Sequence, residues 1–195
     1  FSLWKKAKDG EPAWDSPWGK GRPGWHLECS AMSMKHLGET IDIHAGGTDL
    51  VFPHHENELA QSEACCTNEF VKYWIHFGFL NIQNEKMSKS LGNFFTARDI
   101  LKSFSPEAIR MFFCQTYYGG PLNFTDSLLD SASKGVSKIQ NLSDLIKEKI
   151  DSNIEGEVVD FDFGRFYSEF ESVMDDDFNT PKAVAVIFDF AKNFN

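Results

Sequence analysis

In the first half of the chain, segments whose apolar residues recur at helical spacing alternate with segments whose pattern is typical of extended strands. Apolar residues recur at roughly helical spacing in GWHLECSAMSMKHLG, which begins after Pro23 and stops at Gly38, and this predicts a short helix. TIDIHAGG alternates apolar and polar residues and ends in two glycines, as a strand entering a tight turn does. A second helix is predicted from Pro53, because proline is tolerated at the first helical position and HHENELAQSEACC contains no further breaker. The aromatic and β-branched KYWIHFGFLNI predicts the next extended segment, ahead of the polar loop QNEKMSKSLGN.

This alternation predicts an α/β fold with a parallel sheet, in which ligands bind at the carboxyl ends of the strands. Residues 1–24 have no sustained period and carry turn signals, so an ordered loop is expected there. After Thr96 the patterns become helical, with Ser105 and Thr180 as plausible helix starts ahead of prolines. The acidic stretch DSNIEGEVVD between two of these helices is predicted to be a linker.

Composition narrows the class of protein. The chain has 195 residues, 42% of them hydrophobic, which suits a buried core, and no run approaches the roughly 18 to 20 apolar residues of a membrane span. The net charge of -10 gives no global support for binding DNA or RNA, so a nucleic-acid partner would have to use local patches. The four irregularly spaced cysteines favour free thiols or a metal ligand in a reducing compartment, and we expect a cytoplasmic protein. Because the chain begins with Phe1 and not with methionine, in a segment rich in glycine, proline, tryptophan and lysine, we also expect it to be the middle of a larger protein.

The segment FPHHENE contains the first candidate metal ligands. Residues four apart share one face of a helix, so His54 and Glu58 converge, whereas His55 and Glu56 point away from them. An imidazole and a carboxylate in this arrangement can bind a small cation such as zinc. His55-Glu56 also begins the HExxH pattern of zinc proteases, but Leu59 stands where that pattern needs its second histidine, which excludes it.

A thiolate is the other common zinc ligand, and all ligand atoms must lie within roughly 4 Å of one another. Cys65 lies seven residues beyond Glu58, on the order of 10 Å along a helix axis, and is too distant. Cys29, on the preceding predicted helix, is the thiol that a compact α/β unit could bring close to His54. This makes three ligands. On spacing alone, a solvated His/Glu pair beside a buried thiol explains the residues equally well.

Lys86-Met87-Ser88-Lys89-Ser90 follows a predicted strand. Two ammonium groups three residues apart on a loop can close on a triphosphate and stabilise the charge that develops as its α-phosphorus is attacked. The hydroxyls of Ser88 and Ser90 can donate to phosphate or stiffen the loop. By composition alone, such a segment is more often a solvated basic loop.

The pentapeptide nevertheless matches the KMSKS signature of class I aminoacyl-tRNA synthetases. Together with GWHLECSAM, HAGGTDLVFPHHENE, KMSKSLGNF and MDDDFNTPKA, it makes the chain resemble the cysteinyl-tRNA synthetase family through essentially all its residues. The resemblance implies a Rossmann-like catalytic domain that activates L-cysteine with ATP and magnesium and transfers it to tRNA(Cys). DNA and membranes are not expected partners.

The resemblance also implies a zinc ion held by Cys29, His54, Glu58 and a fourth ligand, a cysteine outside this chain. The HIGH signature that contacts ATP would likewise lie outside, because His36-Leu37-Gly38-Glu39 reads as a helix terminus. Direct coordination of the substrate sulfur would distinguish cysteine from serine without editing.

Substrate contacts are implied at further positions. By resemblance, Trp25 walls the amino-acid pocket, and Asp49 contacts either the ammonium of cysteine or the ribose of ATP. Gly46 and Gly47 allow close approach to the nucleotide.

In the KMSKS loop, Lys86, Ser88 and Lys89 would bind ATP, and Lys89 is expected to contribute more to the transition state. No side chain need act as a nucleophile, so catalysis would consist of positioning and electrostatics.

The resemblance implies three domains: residues 1–96 would form the second half of the catalytic domain, 97–152 a helical stem-contact region, and 153–195 the start of an anticodon-binding bundle. These 195 residues alone are expected to be inactive. A cysteine ligase of mycothiol synthesis is the alternative within the same structural family, although MDDDFNTP and the helical C-terminal part favour the synthetase. A zinc-binding or RNA-binding module without catalysis is the alternative of another class; the acidic balance and the intact lysine loop argue against it.

Overall fold

A computed structural model describes residues 1–82, 85–88, 90–152, 156 and 161–193. The chain divides into two compact units, Phe1–Phe77 and Gly78–Asn195, referred to below as the first and second unit. Within the described parts of the chain, no helix has the length and apolar content needed to cross a membrane.

The first unit begins with a small antiparallel hairpin where the sequence predicted only a loop. Its elements are β1 (Trp4–Lys6), β2 (Gly21–Pro23), α1 (Trp25–Leu37), β3 (Ile41–Gly47), α2 (Glu56–Cys65) and β4 (Val71–Phe77). Strand β1 pairs with β2, with Trp4 opposite Pro23. Strands of three residues are too short to show a period, and for this reason the prediction missed them.

Strands β3 and β4 are parallel, as predicted. Ile41 lies opposite Val71, and the register continues to Gly47 opposite Phe77. Ile41, Phe70 and Val71 form the buried core of this unit, and Met34, Leu59 and Trp74 pack against it. The predicted helix over 25–37 is confirmed as α1, and its end at Gly38 has the positive φ of 96° that favours glycine.

The second helix begins later than predicted. Residues Val51–His55 form a π-helical turn, and regular α-helix starts at Glu56. Phe52 is extended, with φ -131° and ψ 131°, because the residue before a proline is sterically driven out of the α region. Pro53 therefore marks the approach to α2 and not its first turn.

The second unit contains the remaining elements: β5 (Leu80–Ile82), β6 (Glu85–Lys86), α3 (Ala97–Ile100), α4 (Pro106–Cys114), β7 (Leu122–Phe124), α5 (Asp126–Asp151), α6 (Phe163–Asp175) and α7 (Thr180–Asn193). Strand β5 lies between β6, its antiparallel neighbour, and β7, which runs parallel to it. The predicted extended segment over KYWIHFGFLNI is thus two strands in different sheets. The interruption lies at Gly78, which packs so closely on the Gly120 carbonyl that a side chain there would collide with backbone.

The helical character after Thr96 is confirmed. Ser105 caps α4 by accepting a hydrogen bond from the Ala108 N–H, with proline in the first turn, and α7 begins at Thr180. The buried core of this unit is Phe112, Phe124, Leu129 and Ala132. The predicted linker 151–160 lies largely outside the described residues.

Candidate metal centre and phosphate loop

Helices α1 and α2 bring three predicted metal ligands together in the first unit. Cys29 comes from α1, His54 from the π-helical turn and Glu58 from the first turn of α2, and one ligand atom of each lies within 4.8 Å of the others. His54 Nε2 is 3.5 Å from Glu58 Oε1, so the two side chains converge across one helical turn as their spacing predicts. Ser30 fastens α1 to α2, because its hydroxyl donates to Gln61 Oε1 at 3.1 Å.

The Glu58 carboxylate is buried and incompletely paired. Its side chain is 1% exposed, and among the described residues its Oε2 accepts no hydrogen bond, although His44 Nε2 lies 3.2 Å away. A buried carboxylate oxygen without a donor is costly unless a cation or proton is bound to it. Nitrogen, carboxylate oxygen and sulfur are the ligand atoms that zinc accepts, so the residues fit this metal.

Four other histidines surround this group, and the helix spacing did not predict them. His26 Nδ1 lies 2.9 Å from His54 Nδ1, and His55 Nδ1 lies 2.8 Å from His76 Nε2. The ring centroids of His44 and His55 are 4.8 Å apart. The available sequence signal was that all six histidines of the chain fall between residues 26 and 76. The contacts join α1, β3, the π-helical turn and β4, which have no common period.

Burial shifts the pKa values of five groups at the site, Cys29, His44, His54, His55 and Glu58, toward their neutral forms. It raises the pKa of the Glu58 carboxyl to about 7, against the effect of a hydrogen bond from the Cys29 thiol. Burial and then the Glu58 charge raise the pKa of the Cys29 thiol. Burial and the neighbouring imidazoles lower the pKa of His55 to about 4 and also lower the pKa values of His44 and His54. Neutral imidazoles are the form that binds metals, and a divalent cation would favour the ionised carboxyl and thiol.

A second possible ligand group shares Glu58 with the first. His44, His55 and Glu58 also place one ligand atom each within 4.8 Å of the others. This set offers two nitrogens and an oxygen, whereas the Cys29 set adds sulfur, the softer ligand that zinc binds well. We therefore favour Cys29, His54 and Glu58 as the direct ligands.

Trp25 and Gly46, two of the residues predicted to contact the substrates, lie beside histidines of the same centre. The Trp25 side chain is 57% exposed, and its ring centroid is 4.3 Å from that of His54. Asp49 lies in a short 3-10 turn directly after the carboxyl end of β3. Gly46, near that end, packs on His55, since a Cβ there would come 2.6 Å from the ring carbon Cε1. This packing requires glycine independently of any nucleotide. The neighbouring Gly47 approaches the Asp49 carboxylate closely.

The predicted phosphate loop belongs to the second unit. Lys86 ends β6, and its ammonium lies 3.8 Å from the centroid of the Phe79 ring. The Ser88 N–H donates to Asn93 Oδ1 at 2.9 Å, and the Ser88 and Ser90 hydroxyls are 3.1 Å apart. Lys89 lies outside the described residues.

Two family models match the chain. Residues 1–134 match the family described as tRNA synthetases class I (C) catalytic domain, and residues 169–195 match the DALR domain.

Curated relatives cover the whole chain. A cysteine-tRNA ligase of Oceanobacillus iheyensis is 53% identical over 199 residues, which include 100% of this chain and 42% of the relative. A cysteine-tRNA ligase of Desulforamulus reducens is 53% identical over 202 residues, with the same two coverages. The chain thus spans less than half the length of these relatives.

Solved structures share the fold at low identity. Mycobacterium tuberculosis methionyl-tRNA synthetase in complex with methionyl-adenylate superposes with a TM-score of 0.75 at 16% identity, over 98% of this chain and 42% of that one. The LeuRS of Agrobacterium radiobacter K84, in a ternary complex with tRNA and LeuAMS, gives a TM-score of 0.66 at 14% identity, over 98% of this chain and 28% of that one. Because the first family model matches more than half of the residues, the chain belongs to the family of class I tRNA synthetase (C) catalytic domains.

Proposed function

We propose that the complete protein containing this chain activates L-cysteine with ATP and transfers the cysteinyl group to tRNA(Cys). The observation that carries the proposal is the convergence of Cys29, His54 and Glu58, whose buried carboxylate has one oxygen without a hydrogen-bond donor among the described residues. The identity with curated cysteine-tRNA ligases over the whole chain supports the same substrate. We expect the protein to act in the cytoplasm.

Cys29, His54 and Glu58 would hold a zinc ion, with a further cysteine of the complete protein as the fourth ligand. When bound, zinc would coordinate the thiolate of the substrate cysteine. A serine hydroxyl is a much poorer zinc ligand, so serine would be rejected. His26 contacts the far nitrogen of His54, and such a contact orients a ligating imidazole.

The remaining residues near the centre would hold the amino acid and the nucleotide. Trp25 lies against the His54 ring and would wall the pocket for the cysteine side chain. Asp49, which follows the carboxyl end of β3, would accept from the ammonium of cysteine or from the ribose of ATP. Gly46 and Gly47 would leave space beside the nucleotide.

Lys86, Ser88 and Lys89 would bind the phosphates of ATP with its magnesium ion. The cysteine carboxylate attacks the α-phosphorus and pyrophosphate leaves; a ribose hydroxyl of the tRNA then attacks the carbonyl carbon and AMP leaves. The lysines stabilise the negative charge that develops in the first step, and Lys89 would contribute most. The side chains position the reactants and form no covalent intermediate.

We further propose that tRNA contacts lie mainly in the helical part. The predicted stem-contact region 97–152 and the bundle segment 153–195 stay predictions, and the match of residues 169–195 to the DALR domain is consistent with a separate module there.

Pyrophosphate exchange with the complete protein tests the proposal. We expect exchange into ATP only when cysteine is present. Replacing Lys89 with alanine should lower the rate about 100- to 1,000-fold, because a charge aimed at the transition state is lost, and should leave the zinc content unchanged. Lys149→Ala, an exposed lysine in the last turn of α5, is the matched control and should exchange at the wild-type rate.

Two outcomes would contradict this assignment. Wild-type exchange by the Lys89→Ala variant would remove the lysine from the phosphate site. A complete protein that charges no tRNA but ligates cysteine to glucosaminyl-inositol would instead be the mycothiol-pathway ligase.

A further inference from the structure

The Asn93 side chain closes the phosphate loop on itself. Its Oδ1 accepts from the Ser88 N–H at 2.9 Å, and its Nδ2 donates to the Lys86 carbonyl at 3.3 Å. One side-chain amide therefore pairs with the N–H that follows Met87 and with the carbonyl that precedes it, as the backbone of a neighbouring strand would. The Met87 N–H donates to the Leu80 carbonyl at 2.9 Å, so the main chain at this point is held from β5 as well.

The Lys86 side chain is held by a different residue. Lys86 pairs with Asn81 across the antiparallel β5 and β6 strands, and Phe79 lies two residues before Asn81. Such diagonal neighbours on one face are within reach of aromatic and long side chains. The 3.8 Å separation between the Lys86 ammonium and the Phe79 ring centroid is a cation-π contact.

We propose that Asn93 and Phe79 are positioning residues for Lys86. Asn93 holds the main chain on both sides of the loop's entry, and Phe79 holds the ammonium on one face of the β5 and β6 strands. This inference rests on the proposed role of Lys86 in binding ATP. Both residues act through Lys86, and neither needs to touch ATP.

The physical reason is preorganisation. A lysine has many rotamers, and ordering a long side chain on binding costs free energy. The Lys86 ammonium is already held near one position, and the main chain that carries it is already held by Asn93. The Lys86 side chain therefore loses less conformational freedom when the phosphates bind. The Ser88 hydroxyl, which accepts from the Leu91 N–H at 3.3 Å, stiffens the same loop from its other end.

ATP binding by the complete protein tests the inference. The dissociation constant of magnesium-ATP is measured by titration calorimetry without cysteine, so the reading does not depend on which amino acid is activated. We expect Asn93→Ala to weaken binding about 10-fold or more, because small misplacements of a positioned group are costly. Phe79→Leu keeps an apolar side chain without the aromatic face and should weaken binding about two- to fivefold. Phe79→Tyr keeps the face and should bind as the wild type does.

The double variants separate positioning from a general loss of structure. If Asn93 and Phe79 act through Lys86, either substitution should add less than about twofold in a Lys86→Ala background. Full additivity in that background, or wild-type binding by both Asn93→Ala and Phe79→Leu, would overturn the inference. A wild-type protein that binds ATP but forms no cysteinyl adenylate would refute the proposed function and leave this test readable.

Discussion

Glu58 illustrates how one residue's surroundings suggest its chemistry. Its carboxylate is buried between an imidazole from its own helical turn and another from β3, and one of its oxygens has no donor among the described residues. Without a cation, burial raises the pKa of this carboxyl to about 7, so that the protonated acid and the carboxylate are about equally populated at neutral pH. The proposed zinc site and the raised pKa have the same physical cause, a carboxylate that is buried away from water with few hydrogen-bond donors among the described residues.

Metal analysis can decide which side chains are direct ligands. We expect Cys29→Ser to lose zinc after dialysis of the complete protein, since a hydroxyl is a poor replacement for a thiolate. His44→Ala is the control, because His44 belongs only to the second possible ligand group. It should keep one zinc per chain, with affinity lowered by no more than about 10- to 100-fold in a chelator competition. Loss of zinc from His44→Ala and retention in Cys29→Ser would point to His44, His55 and Glu58 as the ligands.

At the scale of elements, α4, α5 and β7 hold the second unit together. Phe112 on α4 is 2% exposed, and its ring centroid lies 5.6 Å from that of Phe124 on β7, edge to face. Leu129 and Ala132 of α5 complete this buried cluster. The apolar period of these helices was visible in the sequence, and so was the local cap at Ser105.

Phe112 and its neighbour Phe113 offer a matched pair of substitutions. Phe112→Ala should lower the free energy of unfolding by about 3–5 kcal/mol, because it leaves a cavity in the core. Phe113 is 50% exposed, so Phe113→Ala should cost far less. Urea unfolding followed by far-UV circular dichroism measures both. An equal loss in the two variants would show that the α4 face is assigned wrongly.

At the scale of the whole molecule, contacts between distant parts of the chain complete the second unit. The hydroxyls of Tyr117 and Tyr118 both donate to the Asp177 carboxylate, about sixty residues away in sequence. Asp177 and Phe178 have φ values of 54° and 53°, so the turn between α6 and α7 presents this carboxylate from a left-handed conformation.

These hydrogen bonds predict a pH dependence of stability. The tyrosine hydroxyls lower the pKa of Asp177. The contribution of Asp177 to the free energy of unfolding is therefore present above the unfolded pKa of about 4 and is lost as the pH falls through the folded pKa. The pKa values of Tyr117 and Tyr118 are raised, chiefly by Asp177. Their contribution to the free energy of unfolding is therefore present below about pH 10 and is lost as the pH rises further.

Thermal unfolding at two pH values checks this prediction. Tyr118→Phe should lower the melting temperature by a few degrees at pH 7, and the difference from wild type should shrink well below the pKa of Asp177. Tyr167→Phe, an exposed tyrosine on α6, is the control and should melt as the wild type does at both pH values. A difference in Tyr118→Phe that does not change with pH would refute the electrostatic account.

Features within one element were predictable from the order of residues. Helix α1, strand β3, the cap at Ser105 and the convergence of His54 with Glu58 all follow from fixed helical or extended geometry over a few residues. The family could likewise be recognised from short strings around these positions, and the match over residues 1–134 confirms it.

Features that join separate elements could not be predicted in this way, because distance along the chain has no fixed relation to distance in space once a turn intervenes. The approach of His44 to Glu58, the Asn93 amide across the phosphate loop and the hydrogen bonds of Tyr118 with Asp177 are of this kind. The late start of α2 at Glu56 and the break at Gly78 also depended on local sterics and on a close backbone neighbour. In this protein, periodicity was enough to indicate two of the candidate ligands, and packing between helices and strands was needed to surround them.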